Sequence, residues 1–146
     1  MAKVLFYDIE TAPNLAYVWG QYDQNVIQQF REWYMMCFSY KWEGTQTTKV
    51  VSLPDFDLYD KDPENDREVV QALWDLIDEA DVVVAHNGDK FDMKKANARF
   101  IVHEMGPPAP VQQIDTLKAS KRYFKFNSNN KKIIYVWFND KKSLRK

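Results

Sequence analysis

The sequence predicts an α/β domain built on a mixed five-stranded sheet flanked by helices, and three observations predict it. Val4 to Tyr7 and Val82 to Ala85 are short continuous apolar runs, of the kind that only a sheet interior covers on both faces. Between them lies an aromatic and β-branched hairpin pattern. Helical periodicity follows in two places, each time after a break in the strand pattern.

The elements follow in order. The first strand spans residues 3–7 and is read as ending at Asp8. The stretch from Asn14 to Phe30, with Tyr17, Trp19 and Tyr22, shows no clear period; its rings are read as packing under the hairpin, with stacking on a single-stranded end as the alternative. Trp33 to Trp42 and Thr47 to Leu53, joined by a polar link with Gly44, form the hairpin that extends the first strand into an antiparallel edge. Asp62-Pro63 reads as a helix start, with Val69, Val70, Leu73, Trp74 and Ile77 as the apolar stripe. The strand 82–85 is broken by Gly88, and a helix follows with Phe91, Ala98, Ile101, Val102 and Met105 as its periodic positions. Ile114 to Leu117 reads as the fifth strand and its exit, and Lys118 to Tyr123 as the last helix.

Length and composition agree with one folding unit. A chain of 146 residues buries nearly 70% of its unfolded surface, by the usual scaling of about that fraction, which is enough for one core. No apolar stretch approaches the roughly 20 residues that span a bilayer, and no signal peptide opens the sequence, so no membrane partner is expected. The lone Cys37 cannot form an internal disulfide, fits a reducing, cytoplasmic setting and reads as a small core residue. The net charge of −1 hides an asymmetry: residues 1–92 carry a balance of −11 and residues 93–146 one of +10. Lys94, Lys95 and Arg99 on one helix, with Lys118, Lys121, Arg122 and Lys125 on the next, could hold a phosphate backbone or simply be solvated faces.

Two acidic segments carry the chemistry. Asp8 and Glu10 lie two residues apart on extended backbone, so their carboxylates point to one side and can converge. At an effective dielectric of about 20, like charges roughly 4 Å apart repel by on the order of 4 kcal/mol, a repulsion that a hard divalent ion reverses. Asp92 follows His86-Asn87-Gly88-Asp89-Lys90-Phe91 and falls in the first turn of a helix, where the N-terminus favours an anion. If strands 3–7 and 82–85 lie parallel and adjacent, all three acids meet at the strand ends, where open α/β sheets bind ligands. His86 is read as a hydrogen-bonded turn residue, and His103 as a last-turn cation or solvated residue.

With these residues in place the chain resembles the DnaQ-like or DEDD 3′-to-5′ exonucleases of ribonuclease H-like fold, including the proofreading domains of family B DNA polymerases. Asp8-Ile9-Glu10 matches the first family motif, and Asn87, Phe91 and Asp92 match the second. The resemblance covers residues 1–130 and implies a ribonuclease H-like sheet and a two-metal site for Mg²⁺ or Mn²⁺ held by Asp8, Glu10 and Asp92 as catalytic ligands. It further implies that Thr11 and Asn87 border the substrate end, that Phe91 packs beneath the site, and that the partners are single-stranded DNA or other nucleic-acid 3′ ends and a polymerase or replication protein.

The third family motif, a late helix with Tyr or His shortly before a final Asp, is missing. After Asn127-Ser128-Asn129-Asn130 the chain turns to Lys131-Lys132, the strand-like run Ile133 to Phe138 and a basic finish; Tyr135 and Asp140 are too close to the fifth strand to replace the motif. Residues 131–146 therefore read as an atypical tail, with truncation or a reading-frame shift near Lys131 as one hypothesis. Losing one ligand, at about 4 kcal/mol of transition-state stabilisation, would slow hydrolysis by roughly a thousandfold. The expected function is an impaired metal-dependent exonuclease. The alternatives are an inactive nucleic-acid-binding or scaffold module and a piece of a larger or split polymerase or exonuclease.

Overall fold

The computed structural model describes residues 2–20, 22 and 25–125. The tail 131–146, with Tyr135 and Asp140, lies outside the described residues. The main sheet holds β1 (Val4–Thr11), β4 (Met35–Trp42), β5 (Lys49–Ser52), β6 (Val82–Ala85) and β7 (Gln112–Asp115) in the order β5-β4-β1-β6-β7. β1 is central, antiparallel to β4 and parallel to β6, and β6 is parallel to β7. The helices α1 (Arg67–Glu79), α2 (Asp92–Val102) and α3 (Thr116–Tyr123) complete the expected series of strands and helices. A separate two-stranded sheet, β2 (Leu15–Tyr17) with β3 (Gln28–Arg31), interrupts that series between β1 and β4.

The core forms on one face of the sheet. Leu5, Tyr7 and Ile9 alternate inward along β1 opposite Trp42, Tyr40 and Phe38 of β4, and Val69, Val70, Leu73 and Ile77 of α1 close over them. α2 adds Met93, Ala96 and Phe100, at the spacing that keeps side chains on one helical face. The periodic positions expected for α2 need correcting, because Ile101 and Val102 are exposed and the buried stripe lies a few residues earlier. Among the described residues no helix is long and apolar enough to cross a membrane.

Three further expectations change. β1 does not end at Asp8; pairing with β4 carries it to Thr11, while its parallel partner β6 stops at Ala85. α1 starts at Arg67 rather than after Asp62-Pro63, because the buried Asp66 is committed elsewhere: its Oδ2 accepts the Met35 N–H at 2.7 Å, and its Oδ1 meets Arg99 and, at 2.6 Å, His103 Nε2. His103 is thereby part of a buried clamp and not solvated. Finally, the rings of the Asn14–Phe30 stretch do not pack under the hairpin. Tyr17, Trp19 and Phe30 stand in solvent on the β2–β3 arm.

Candidate active-site edge

The difference in length between β1 and β6 creates the site. β1 pairs with β6 only from Val4 to Phe6, so beyond Phe6 its backbone needs other partners on that side. Asp92, the first residue of α2, supplies one: its Oδ1 accepts the Ile9 N–H at 3.0 Å. That N–H lies between Asp8 and Glu10 in the chain, so the buried Asp92 is brought to the backbone that carries the other two acids.

The loop that delivers Asp92 is tightly specified. Asn87 adopts the left-handed conformation, φ 65°, and its carbonyl accepts the N–H groups of Lys90 and Phe91 at 3.1 and 2.9 Å. Gly88 sits against β6, where an added Cβ would come within 2.7 Å of the Ala85 Cβ, so only glycine fits without movement. Asp115, at the end of β7, fastens the loop from the other side. Its Oδ1 accepts the Asn87 N–H at 2.9 Å and also caps α3 through Leu117 and Lys118 at 2.8 and 3.3 Å. His86 Nδ1 meets Thr116 Oγ1 at 2.9 Å, as expected of a hydrogen-bonded turn residue. The anchoring role of Asp115 was not foreseen, although an Asp followed by Thr at a strand exit is a capping signal.

Asp8 and Glu10 share the face of β1 opposite the core, paired across to Ser39 and Cys37 of β4. Cys37 is half-buried on this face and is not a core residue. Burial pushes its thiol up, and the Glu10 and Asp8 carboxylates push it further, so both acids act on one point. On the core side, burial raises the Tyr7 hydroxyl far above its ordinary range, helped by the Asp92 and Asp89 carboxylates. The edge is therefore electronegative on both sides of β1. A shallow groove of about 200 Å³ runs past Asp8 between Phe6, Val84, His86 and Thr116.

The other expected residues are placed less uniformly. Thr11 ends β1, half-buried, and Asn87 is half-buried at the bend of the loop. Phe91 is 38% exposed, with the Lys95 ammonium 5.7 Å from its ring centre. The basic field is also smaller than the sequence suggested: Arg99 is buried against Asp66, and Lys118 is paired with Asp89, which raises its ammonium above the ordinary value. Lys95 remains at the rim, its Nζ 3.6 Å from the centre of the Trp33 ring, and burial lowers its pKa.

The carboxylates fit a hard divalent cation by their oxygen chemistry and their common edge. Among the described residues no three His, Cys, Asp or Glu side chains form one group placed to hold a metal ion.

A family model described as the RNase_H superfamily matches residues 36–139. The chain belongs to the RNase H superfamily. No curated protein matches it. Among solved structures, the family B DNA polymerase from the hyperthermophilic archaeon Pyrobaculum calidifontis is similar at 16% identity and a TM-score of 0.56 over 84% of this chain. The chain spans 16% of that polymerase, and the likeness is one of fold. The mixed sheet with its flanking helices is thus an RNase H-like fold, consistent with the exonuclease branch that the Asp8-Ile9-Glu10 and Asn87-to-Asp92 motifs resemble.

Proposed function

We propose that this RNase H-like domain is a metal-dependent 3′-to-5′ exonuclease-like module that acts on or binds DNA ends, with turnover impaired for want of a final carboxylate. The observation that carries the reading is the Asp92–Ile9 hydrogen bond, which brings the second-motif acid to the stretch of β1 bearing Asp8 and Glu10. Asp8 and Glu10, on the open face of β1, would hold Mg²⁺ or Mn²⁺ together with Asp92, and the bound ion would supply charge stabilisation for phosphodiester hydrolysis. Asp92 also keeps β1 extended past the end of β6, which holds the first two acids on one side of the strand. Thr11 and Asn87 flank the position of a terminal nucleotide, and Phe91 offers it a ring at the rim. The missing third motif favours low turnover, and equally a second reading as a binding or scaffold module.

Two measurements test this. Millimolar Mg²⁺ or Mn²⁺ should raise the melting temperature, because an ion that binds only the folded state stabilises it by mass action, by about 2.7 kcal/mol at a hundred times its Kd. The double substitution Asp8→Asn with Asp92→Asn should abolish that response. Metal-insensitive melting of the parent chain would remove the metal site. With Mn²⁺ and an end-labelled single strand, little stepwise shortening is expected; robust digestion abolished by Asp8→Ala would overturn the impairment and leave the exonuclease reading standing.

A further inference from the structure

The β2–β3 arm leaves β1 immediately after the acidic pair and carries large apolar side chains into solvent, against the ordinary economy of a folded surface. Trp19 is 89% exposed, Phe30 69% and Tyr17 62%, and the rings of Tyr17 and Phe30 meet edge to face with centroids 6.4 Å apart. The arm is not loosely attached. At its root Asn14 Oδ1 accepts the Trp33 N–H at 2.8 Å and the Gln29 side-chain amide at 3.3 Å, and the Ala12 N–H donates to the Tyr34 carbonyl at 2.9 Å.

Between this root and the carboxylate edge lies a cation not paired with Asp66 or Glu64 as Arg99 and Arg31 are. The Lys95 ammonium sits 3.6 Å from the Trp33 ring centre and 5.7 Å from that of Phe91, the residue preceding Asp92. Phe91 precedes Asp92, the ammonium beside it rests on the Trp33 indole, and the Trp33 N–H is tied to Asn14 at the root of the arm that bears the exposed rings. Rings that accept base faces, with a cation placed for a phosphate, form the recognition pattern of single-stranded nucleic acid. Gln28, exposed on β3, paired across to Tyr17 and two residues before Phe30, adds a neutral hydrogen-bonding group suited to base edges.

We infer that the arm and the Phe91–Lys95–Trp33 shelf form a track for single-stranded nucleic acid leading away from the carboxylate edge, with bases stacked on Tyr17, Trp19 and Phe30 and a phosphate on Lys95. This rests on the nuclease-like reading of the edge, but it assigns strand binding to residues outside the acidic motifs. Because aromatic stacking carries most of the contact and one rim cation contributes, the track predicts binding with a shallow salt dependence, unlike that of a basic groove.

The test uses the full chain and a fluorescently labelled oligothymidylate of about a dozen nucleotides, without divalent ions so that metal binding and turnover play no part. Trp19→Ala with Phe30→Ala should weaken binding at least about tenfold at unchanged melting temperature, since each stacked base is worth roughly that factor. Lys95→Met, which keeps a chain to pack on Trp33, should reduce the slope of log affinity against log salt by about 0.7. If the parent binds the strand and both variants bind it equally well, the track is wrong while the reading of the edge survives. If the parent does not bind the strand at all, the track and the nucleic-acid side of that reading fall together, whereas a metal-dependent rise in melting temperature would still stand. A concentration-dependent dimer in sedimentation that the Trp19→Ala, Phe30→Ala chain no longer forms, with strand binding unchanged, would assign the arm to self-association and overturn the proposal.

Discussion

Asp66 and Asp92 do the same local job beside different neighbours. Both are almost wholly buried at the start of a helix, and both reach across to the backbone N–H of a strand, Met35 of β4 in one case and Ile9 of β1 in the other. Around Asp66 the chain gathers Arg99 and His103, so the charge is met inside the protein. Asp92 shares its strand with other acids: burial first, and then Asp92 and Asp89, favour the protonated form of Tyr7 on one side of β1, while burial first, and then Glu10 and Asp8, favour that of Cys37 on the other. A buried acid beside an arginine is a clamp, whereas a strand edge that several acids share is suited to a cation from outside.

The comparison breaks first at the clamp. Asp66→Ala leaves Arg99 buried without its partner and should cost about 3–5 kcal/mol in urea unfolding. Adding Arg99→Met should recover part of that loss, because a buried ion pair replaced by apolar side chains is often close to neutral. Failure of the second substitution to recover any stability would mean that Asp66 acts only through Met35.

At the site edge the expected effects are smaller and separable. Gly88→Ala forces its new methyl onto Ala85 and should destabilise by about 1–3 kcal/mol, the usual range for overpacking. Asp92→Ala leaves the Ile9 N–H without its acceptor and should cost about 1–3 kcal/mol, whereas Asp92→Asn keeps a carbonyl oxygen there and should cost less than either. If the Asn variant is as unstable as the Ala variant, the charge and not the acceptor holds β1 in place.

The smallest effect is a pH dependence. Tyr7 is raised above the ordinary value of about 10 by burial first and then by Asp92 and Asp89, so the folded state holds its proton longer than the unfolded state. Its contribution is fully present below about pH 10 and is lost as pH rises from there towards the folded value, at no more than about 1.4 kcal/mol per pH unit. Urea midpoints of the parent and of Tyr7→Phe, compared at pH 8 and at about pH 11, should diverge because the parent loses more stability. Parallel losses in both would place the alkaline sensitivity elsewhere.

What the sequence made legible divides along the same line. Runs such as Val82–Ala85 and the hairpin around Gly44 announce strands because burial on a sheet demands their composition, and the Asp-x-Glu pair announces its shared face through strand geometry. Long-range obligations were not legible. Nothing local in the sequence sets Asp66 apart from Asp62, Glu64 and Glu68, and only the fold shows that Met35 and Arg99 need it. Arg99 and Lys118 likewise read as solvated charge until their partners are seen. The rings of the arm were expected to be buried because exposing aromatics is costly; their exposure is the kind of local violation that marks a binding surface.

The Ile9–Asp92 bond joins residues 83 positions apart, and the β1–β6 ladder beneath it spans nearly as much chain. Bringing such distant segments together costs loop-closure entropy that local contacts cannot repay, so contacts of this kind form late and slow the search for the native topology. The carboxylate edge should therefore assemble after the local hairpin and helices, an order that Asp92→Asn would reveal by speeding unfolding while leaving the folding rate unchanged. During synthesis the acidic pair of β1 emerges early, but it becomes an assembled edge only after α2 has been made and has docked.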